Sequence, residues 1–110
     1  MDHYSKAADN GYIQAAAGIK RKTLIYGVNT LMTEFALEKD ADLPMHSHPQ
    51  EQTGYLVSGH MVLSIGGVAY DIQPGDSWLV PGDVVHGAKV LEDSVAVEVF
   101  APVREDYLPN

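Results

Sequence analysis

Residues 44–59 read PMHSHPQEQTGYLVSG, and how this stretch is read decides the fold. Two of the chain's five histidines, His46 and His48, stand here one residue apart, and Gln52 follows in place of an acid. On an extended strand, residues of equal parity share a face. The two imidazoles then project together with Cβ atoms roughly 7 Å apart, close enough to converge on one ion. The same parity leads on to Gln52 while Glu51 faces away, although Pro49 can bend the segment and upset simple counting. Further along, VPGDVVHGA (80–88) sets His86 just after a turn, where a chain re-entering the sheet can supply a third imidazole. Three ring nitrogens and one carboxamide oxygen suit a borderline divalent ion such as Zn, Ni, Fe or Mn. A His-x-His pair is by itself a weak signal, and His3 and His60 read as ordinary residues of a terminus and a turn.

Composition narrows what such a site can serve. A chain of 110 residues, 45% hydrophobic, can form one compact core, so residues 1–110 are expected to make a single domain. There is no cysteine, which leaves nitrogen and oxygen as the metal donors and fits a reducing compartment. MDHYSKAADNGY carries no apolar signal-like core, and no run approaches the ~20 apolar residues of a membrane span, so a cytoplasmic protein is expected. Fifteen acids against seven bases give a net charge of −8, which disfavours nucleic acid and anionic membranes as partners. The one basic cluster, Lys20, Arg21 and Lys22, reads as the solvated part of a strand.

The hydrophobic pattern has the period of strands. LMTEFALE (31–38) sets Leu31, Thr33, Phe35 and Leu37 against Met32, Glu34, Ala36 and Glu38, and no segment after residue 18 reads as a helix. YLVSGHMVLSI (55–65) reads as two strands folded about Ser58 and Gly59. Gly66 and Gly67 then turn the chain into VAYDIQ. PGD occurs at 74–76 and again at 81–83, bracketing SWLV. The last strand is expected in SVAVEVFAP (94–102), with Val95, Val97 and Val99 on one face and Ala96, Glu98 and Phe100 on the other. Either face can be the inner one, and Phe100 favours the second. Tyr26, Tyr55 and Trp78 read as core or interface packing. Residues 1–18 form an N-terminal arm or edge segment, opening with a helical turn or running extended, and residues 40–100 hold the motif-bearing core. Short strands punctuated by Gly, Pro and Asp predict an all-β antiparallel sandwich or small barrel. No G-x-S-x-G, P-loop or G-x-G-x-x-G is present, which leaves serine hydrolase and nucleotide chemistry without support.

The residues around the histidines resemble the two motifs of the cupins, written G-x5-H-x-H-x3,4-E-x6-G and G-x5-P-x-G-x2-H-x3-N. His46, His48 and Gly59 match the first, and Gly75, Pro81 and His86 match the second. The chain departs at Asp40 for the leading Gly, Gln52 for Glu, Asp83 for Gly, and Val90 for the final Asn. The resemblance implies an antiparallel double-stranded β-helix, or jelly-roll barrel, with a metal inside. HSHPQEQTGYLVSG and VFAPVREDYL are further similar to the KdgF-type pectin degradation proteins, small cupins that open the ring of 4,5-unsaturated uronate monosaccharides to linear 5-keto-4-deoxyuronate. That likeness implies one divalent transition metal ion held by His46, His48, Gln52 and His86, catalytic roles for Glu98 and Arg104, and substrate binding by Phe100 and Arg104. The family usually has aspartate where Glu98 stands. No organic cofactor is implied, the substrate is a small anionic sugar acid, and a homodimer is expected because small cupins commonly pair sheet to sheet. The competing readings are a metal-dependent cupin dioxygenase on a small organic substrate and a non-catalytic cupin that binds a metal or a sugar acid.

Overall fold

The chain runs through eight strands: β1 (Ile13–Ala16), β2 (Ile19–Tyr26), β3 (Leu31–Leu37), β4 (Asp42–His46), β5 (Glu51–Ile65), β6 (Val68–Ile72), β7 (Ser77–Val80) and β8 (His86–Ala101). A short 3-10 turn at Glu105–Tyr107 closes it, in a computed structural model that describes residues 3–109. Every strand pairing is antiparallel. The two long strands, β5 and β8, pair with each other from end to end and carry the rest. The first half of β5 takes β7 and its second half takes β6, while the first half of β8 takes β4 and its second half takes β3. Two four-way layers thus share the same central pair, with β2 and β1 extending the β3 edge. The turn spacing predicts an all-β antiparallel sandwich or small barrel, and the architecture is the antiparallel jelly roll that the cupin resemblance implies.

YLVSGHMVLSI does not fold back at Ser58 and Gly59; both residues lie inside β5, and register shifts between Leu56 and Met61 bend the strand instead. Ser-Gly reads as a turn, yet a glycine in a strand also marks a bulge, and continuous pairing with β8 selects the bulge. Likewise SVAVEVFAP is the second half of a single strand that begins at His86. Within residues 4–18 there is no helix: residues 4–12 lead without regular structure to β1, and Lys22 Nζ donates to the Ala8 carbonyl at 2.8 Å.

Burial follows the predicted alternation. Leu31, Thr33 and Phe35 of β3 face inward, and on β8 the buried row is Ala96 and Phe100, with Glu98 in phase. The valines Val95, Val97 and Val99 take the outer face. The core gathers Ile19, Leu56, Met61, Ile72, Val80 and Val90 around them. The basic cluster departs from its expected role, because only Lys20 is exposed while Arg21 and Lys22 are half-buried. Arg21 stands on the inner face in register with Phe35, and its guanidinium lies 4.0 Å from the centre of the Tyr107 ring.

Candidate functional site

Three elements bring the histidines together. His46 ends β4, His48 lies in the turn that follows, and His86 opens β8 in register with His46. His46 and His48 do not share one strand, so strict parity does not hold beyond His46, and Pro49 lies in the turn that resets it. Gln52 reaches the group from β5. The ring centroids of His46 and His86 are 4.3 Å apart, those of His48 and His86 4.9 Å, and those of His46 and His48 5.8 Å. One ring nitrogen from each lies within 4.8 Å of the others, and these three histidines can hold a metal ion.

The protonation of each ring follows from its partner. A backbone carbonyl can only accept, and each Nδ1 meets one: His46 with Pro44 at 2.8 Å, His48 with Gln50 at 3.0 Å, His86 with Val84 at 2.9 Å. Nδ1 therefore carries the proton and each Nε2 is left with its lone pair, the tautomer that metal-ligating histidines adopt. Burial lowers the pKa of His48, helped by the charge of Arg104, and burial also lowers that of His86, so both stay neutral and able to ligate.

Gln52 supplies the decisive detail. Its Nε2 donates to Glu98 Oε1, which turns its carbonyl oxygen Oε1 toward His48 Nε2 at 3.0 Å. Both facing atoms are acceptors, an arrangement that is repulsive by itself and favourable when a cation lies between them. The donor set therefore fits a divalent ion held by His46, His48, His86 and the Gln52 oxygen.

Glu98 stands on the inner face of β8, in register with Thr33 on one side and Gly54 on the other. Its Oε1 also accepts from Trp78 Nε1 at 3.0 Å. Thr33 Oγ1 is the only fully buried side-chain polar atom without a partner among the described residues, so Glu98 Oε2, which makes no hydrogen bond, is not fully enclosed. Behind the carboxyl lies a narrow cavity of about 40 Å³, walled mostly by apolar side chains such as Phe35, Leu63 and Val90. Burial here pushes the Glu98 carboxyl above its ordinary value, against the hydrogen bonds from Trp78 and Gln52 and the charge of Arg104. Larger hollows of about 300 and 350 Å³ lie elsewhere, beside Lys20 and Asp93 and beside the N-terminal arm, away from the imidazoles. Size therefore does not locate the site.

Arg104 approaches from the tail. Its Nε donates to Asp106 Oδ1 at 3.1 Å, and its guanidinium carbon sits 4.1 Å from the Tyr107 ring centre and 5.3 Å from that of Phe100. Its two terminal nitrogens make no hydrogen bond among the described residues. Phe100 is 1% exposed and lies edge-on to His48, with ring centroids 5.6 Å apart. It is thus covered, and it backs His48 and Arg104 instead of presenting a free wall. Tyr107, which the sequence reading left without a role, packs on Phe35 and Phe100 between Arg21 and Arg104, and Thr23 Oγ1 donates to its carbonyl. Its place in VFAPVREDYL, the tail that carries the resemblance, is the sequence signal for it. Of the two histidines read as ordinary, His60 pairs with Asp71 on the surface at 2.6 Å, and His3 is exposed.

Comparisons with known proteins point the same way. The family model described as "Cupin domain" matches residues 33–102. A crystal structure of an RmlC-like cupin from Shewanella frigidimarina superposes with a TM-score of 0.92 at 28% identity, over 98% of this chain and 97% of that one. KdgF from a Halomonas species superposes at 0.91 with 26% identity, over 98% of this chain and all of its own, 100%. A predicted oxalate decarboxylase from Thermotoga maritima, at 16% identity and a TM-score of 0.69 over 77% of this chain and 81% of that one, shares the fold alone. A search of curated proteins gave no significant match. Among the described residues no helix is long and apolar enough to cross a membrane.

Proposed function

This chain belongs to the cupin family, and from that premise we propose that it is a metal-dependent enzyme that opens the ring of 4,5-unsaturated uronate monosaccharides to linear 5-keto-4-deoxyuronate. The observation that carries the reading is the Gln52 carboxamide: its oxygen faces the imidazoles and its amide holds Glu98, joining a cation site to a carboxyl group. The similarity to KdgF over 98% of the chain, together with the resemblance of VFAPVREDYL to the tail of such proteins, supports the choice of substrate.

His46, His48, Gln52 and His86 would hold the divalent ion, which, when bound, polarises the oxygens of an anionic sugar and offsets their charge. All four ligands are neutral, so that charge stays available for a uronate carboxylate. Arg104 offers its two terminal nitrogens as a fork for the same carboxylate. Local positive charge is needed, since the net charge of −8 opposes an anion, and screening over about 8 Å at physiological salt weakens only the distant part of that opposition.

Glu98 Oε2 takes the proton of the anomeric hydroxyl as the C1 to ring-oxygen bond breaks, leaving an aldehyde at C1 and a C5 enolate. The same oxygen then returns the proton to C4, and C5 becomes a ketone. One proton leaves and one arrives, so the conversion is an isomerisation with no co-reactant. The apolar side chains behind the carboxyl, Phe35, Leu63 and Val90 among them, lower the polarity around it and favour its neutral, proton-carrying form. Phe100 backs the His48 ring and the Arg104 guanidinium.

On the outer face, Tyr55, Val57, Leu79 and Met32 are exposed beside Val97 and Val99. This apolar sheet surface is the one a second copy would cover in a homodimer. A solution mass equal to a monomer would remove that element.

The function is tested with purified protein loaded in turn with Ni, Zn, Fe or Mn. The ultraviolet absorbance of the unsaturated uronate should fall with turnover, and Gln52→Ala should abolish the fall. Tight binding of the sugar acid without turnover would establish a binding module instead, and oxygen uptake with a small organic substrate would establish a dioxygenase.

A further inference from the structure

Glutamate places its carboxyl at the end of three rotatable bonds, so a defined proton-carrying oxygen requires that something else fix the group. Gly54 on β5 lies in register between Trp78 on β7 and Glu98 on β8. A Cβ built on Gly54 would stand 2.1 Å from Trp78 Cε2 and 2.2 Å from its Nε1. The indole therefore lies across the backbone of Gly54 and could not do so over any other residue. That path carries its N–H from β7 across β5 to Glu98 Oε1 on β8, at 3.0 Å. The same oxygen accepts from Gln52, so two donors from different elements hold Oε1 and leave Oε2 free. Trp78 is 9% exposed, and it is the chain's only tryptophan.

We propose that Trp78, seated on Gly54, is a positioning residue that fixes the Glu98 carboxyl and so selects Oε2 as its reactive oxygen. This rests on the uronate ring-opening reading given above. A carboxyl held only by Gln52 would swing about one hydrogen bond. With the indole added it is held from two directions, and the longer arm of glutamate is put to use. The sequence reading assigned Trp78 to packing, which its burial satisfies, but packing alone does not require the indole nitrogen to meet a carboxylate.

Trp78→Phe keeps an aromatic ring over Gly54 and removes the N–H. In the metal-loaded enzyme the kcat for the unsaturated uronate should fall about tenfold or more, with KM within about twofold and an unchanged melting temperature to within a few degrees. In a Glu98→Gln background the same substitution should bring no further loss, as expected of groups that act as one unit. An unchanged kcat in Trp78→Phe, or an equal loss in both backgrounds, overturns the proposal. A readout independent of turnover is the single indole N–H proton resonance, which should move upfield in Glu98→Gln. If the wild-type protein proves inactive on uronates, the functional reading falls and this resonance still decides the contact: a shift upholds it, and no shift overturns it.

Discussion

Gln52 answers two demands that a glutamate at the same position could not meet together. Its oxygen faces His48 while its nitrogen donates to Glu98. In Gln52→Glu, two carboxyl groups would meet at that contact, and one would take up a proton. Metal content should be retained while turnover falls at least about tenfold, which elemental analysis and the ultraviolet assay would separate. The departures Asp40 and Asp83 have a backbone cause. They are the two non-glycine residues with positive φ among the described residues, at 70° and 65°, at the very positions where the cupin motifs carry glycine. Aspartate tolerates the left-handed region better than most residues, whereas a β-branched side chain does not. Asp40→Val should therefore lower stability by about 2 kcal/mol, and Asp40→Gly should leave it equal or slightly raised, as read from urea midpoints at constant slope.

At the scale of the element, the bend in β5 decides whether the two layers can close. Gly59 has φ of +98°, and a Cβ there would stand 2.1 Å from Ser94 Oγ and 2.5 Å from the Asp93 carbonyl oxygen. Ser94 Oγ in turn accepts from His60 N at 3.1 Å and donates to the Glu92 carbonyl at 2.7 Å, tying the bends of β5 and β8 together. Gly59→Ala must therefore distort both central strands. A loss of about 3 kcal/mol or more is expected in urea denaturation, with weakened metal binding, because Gln52 and Glu98 lie on the strands so displaced. The tail is a second such element: the 3-10 turn is held by Thr23, Arg21, Phe35 and Phe100, and it delivers Arg104 to the mouth of the site.

For the whole molecule, the proposed ion is a stabilising ligand as well as a functional one. Its donors come from β4, β5, β8 and the turn after β4, which are apart in the unfolded chain. Binding to the native state alone at a hundredfold excess over Kd contributes about 2.7 kcal/mol. For a small domain this corresponds to a melting temperature about 10 °C or more higher. Chelation should bring that fall, addition of the metal should reverse it, and His86→Ala should show neither change.

The strand periodicity, the His-x-His spacing and the distant His86 were legible from residue types alone, because alternation and turn chemistry are local. They sufficed for an all-β antiparallel fold and for naming the imidazoles. Which way Ser58 and Gly59 would turn the chain was not legible, because a turn and a bulge use the same residues and only pairing with β8 distinguishes them. Phe100, of the same parity, already favours an inward Glu98 in the sequence, whereas the covering of Phe100, the reach of Trp78 over Gly54 and the place of Tyr107 between two arginines depend on strands that meet across the barrel. Sequence determined which groups this protein possesses and their local parity. Tertiary structure decided which atoms face each other, since hydrogen bonds and ion sites form between surfaces that exist only after the sheets have closed.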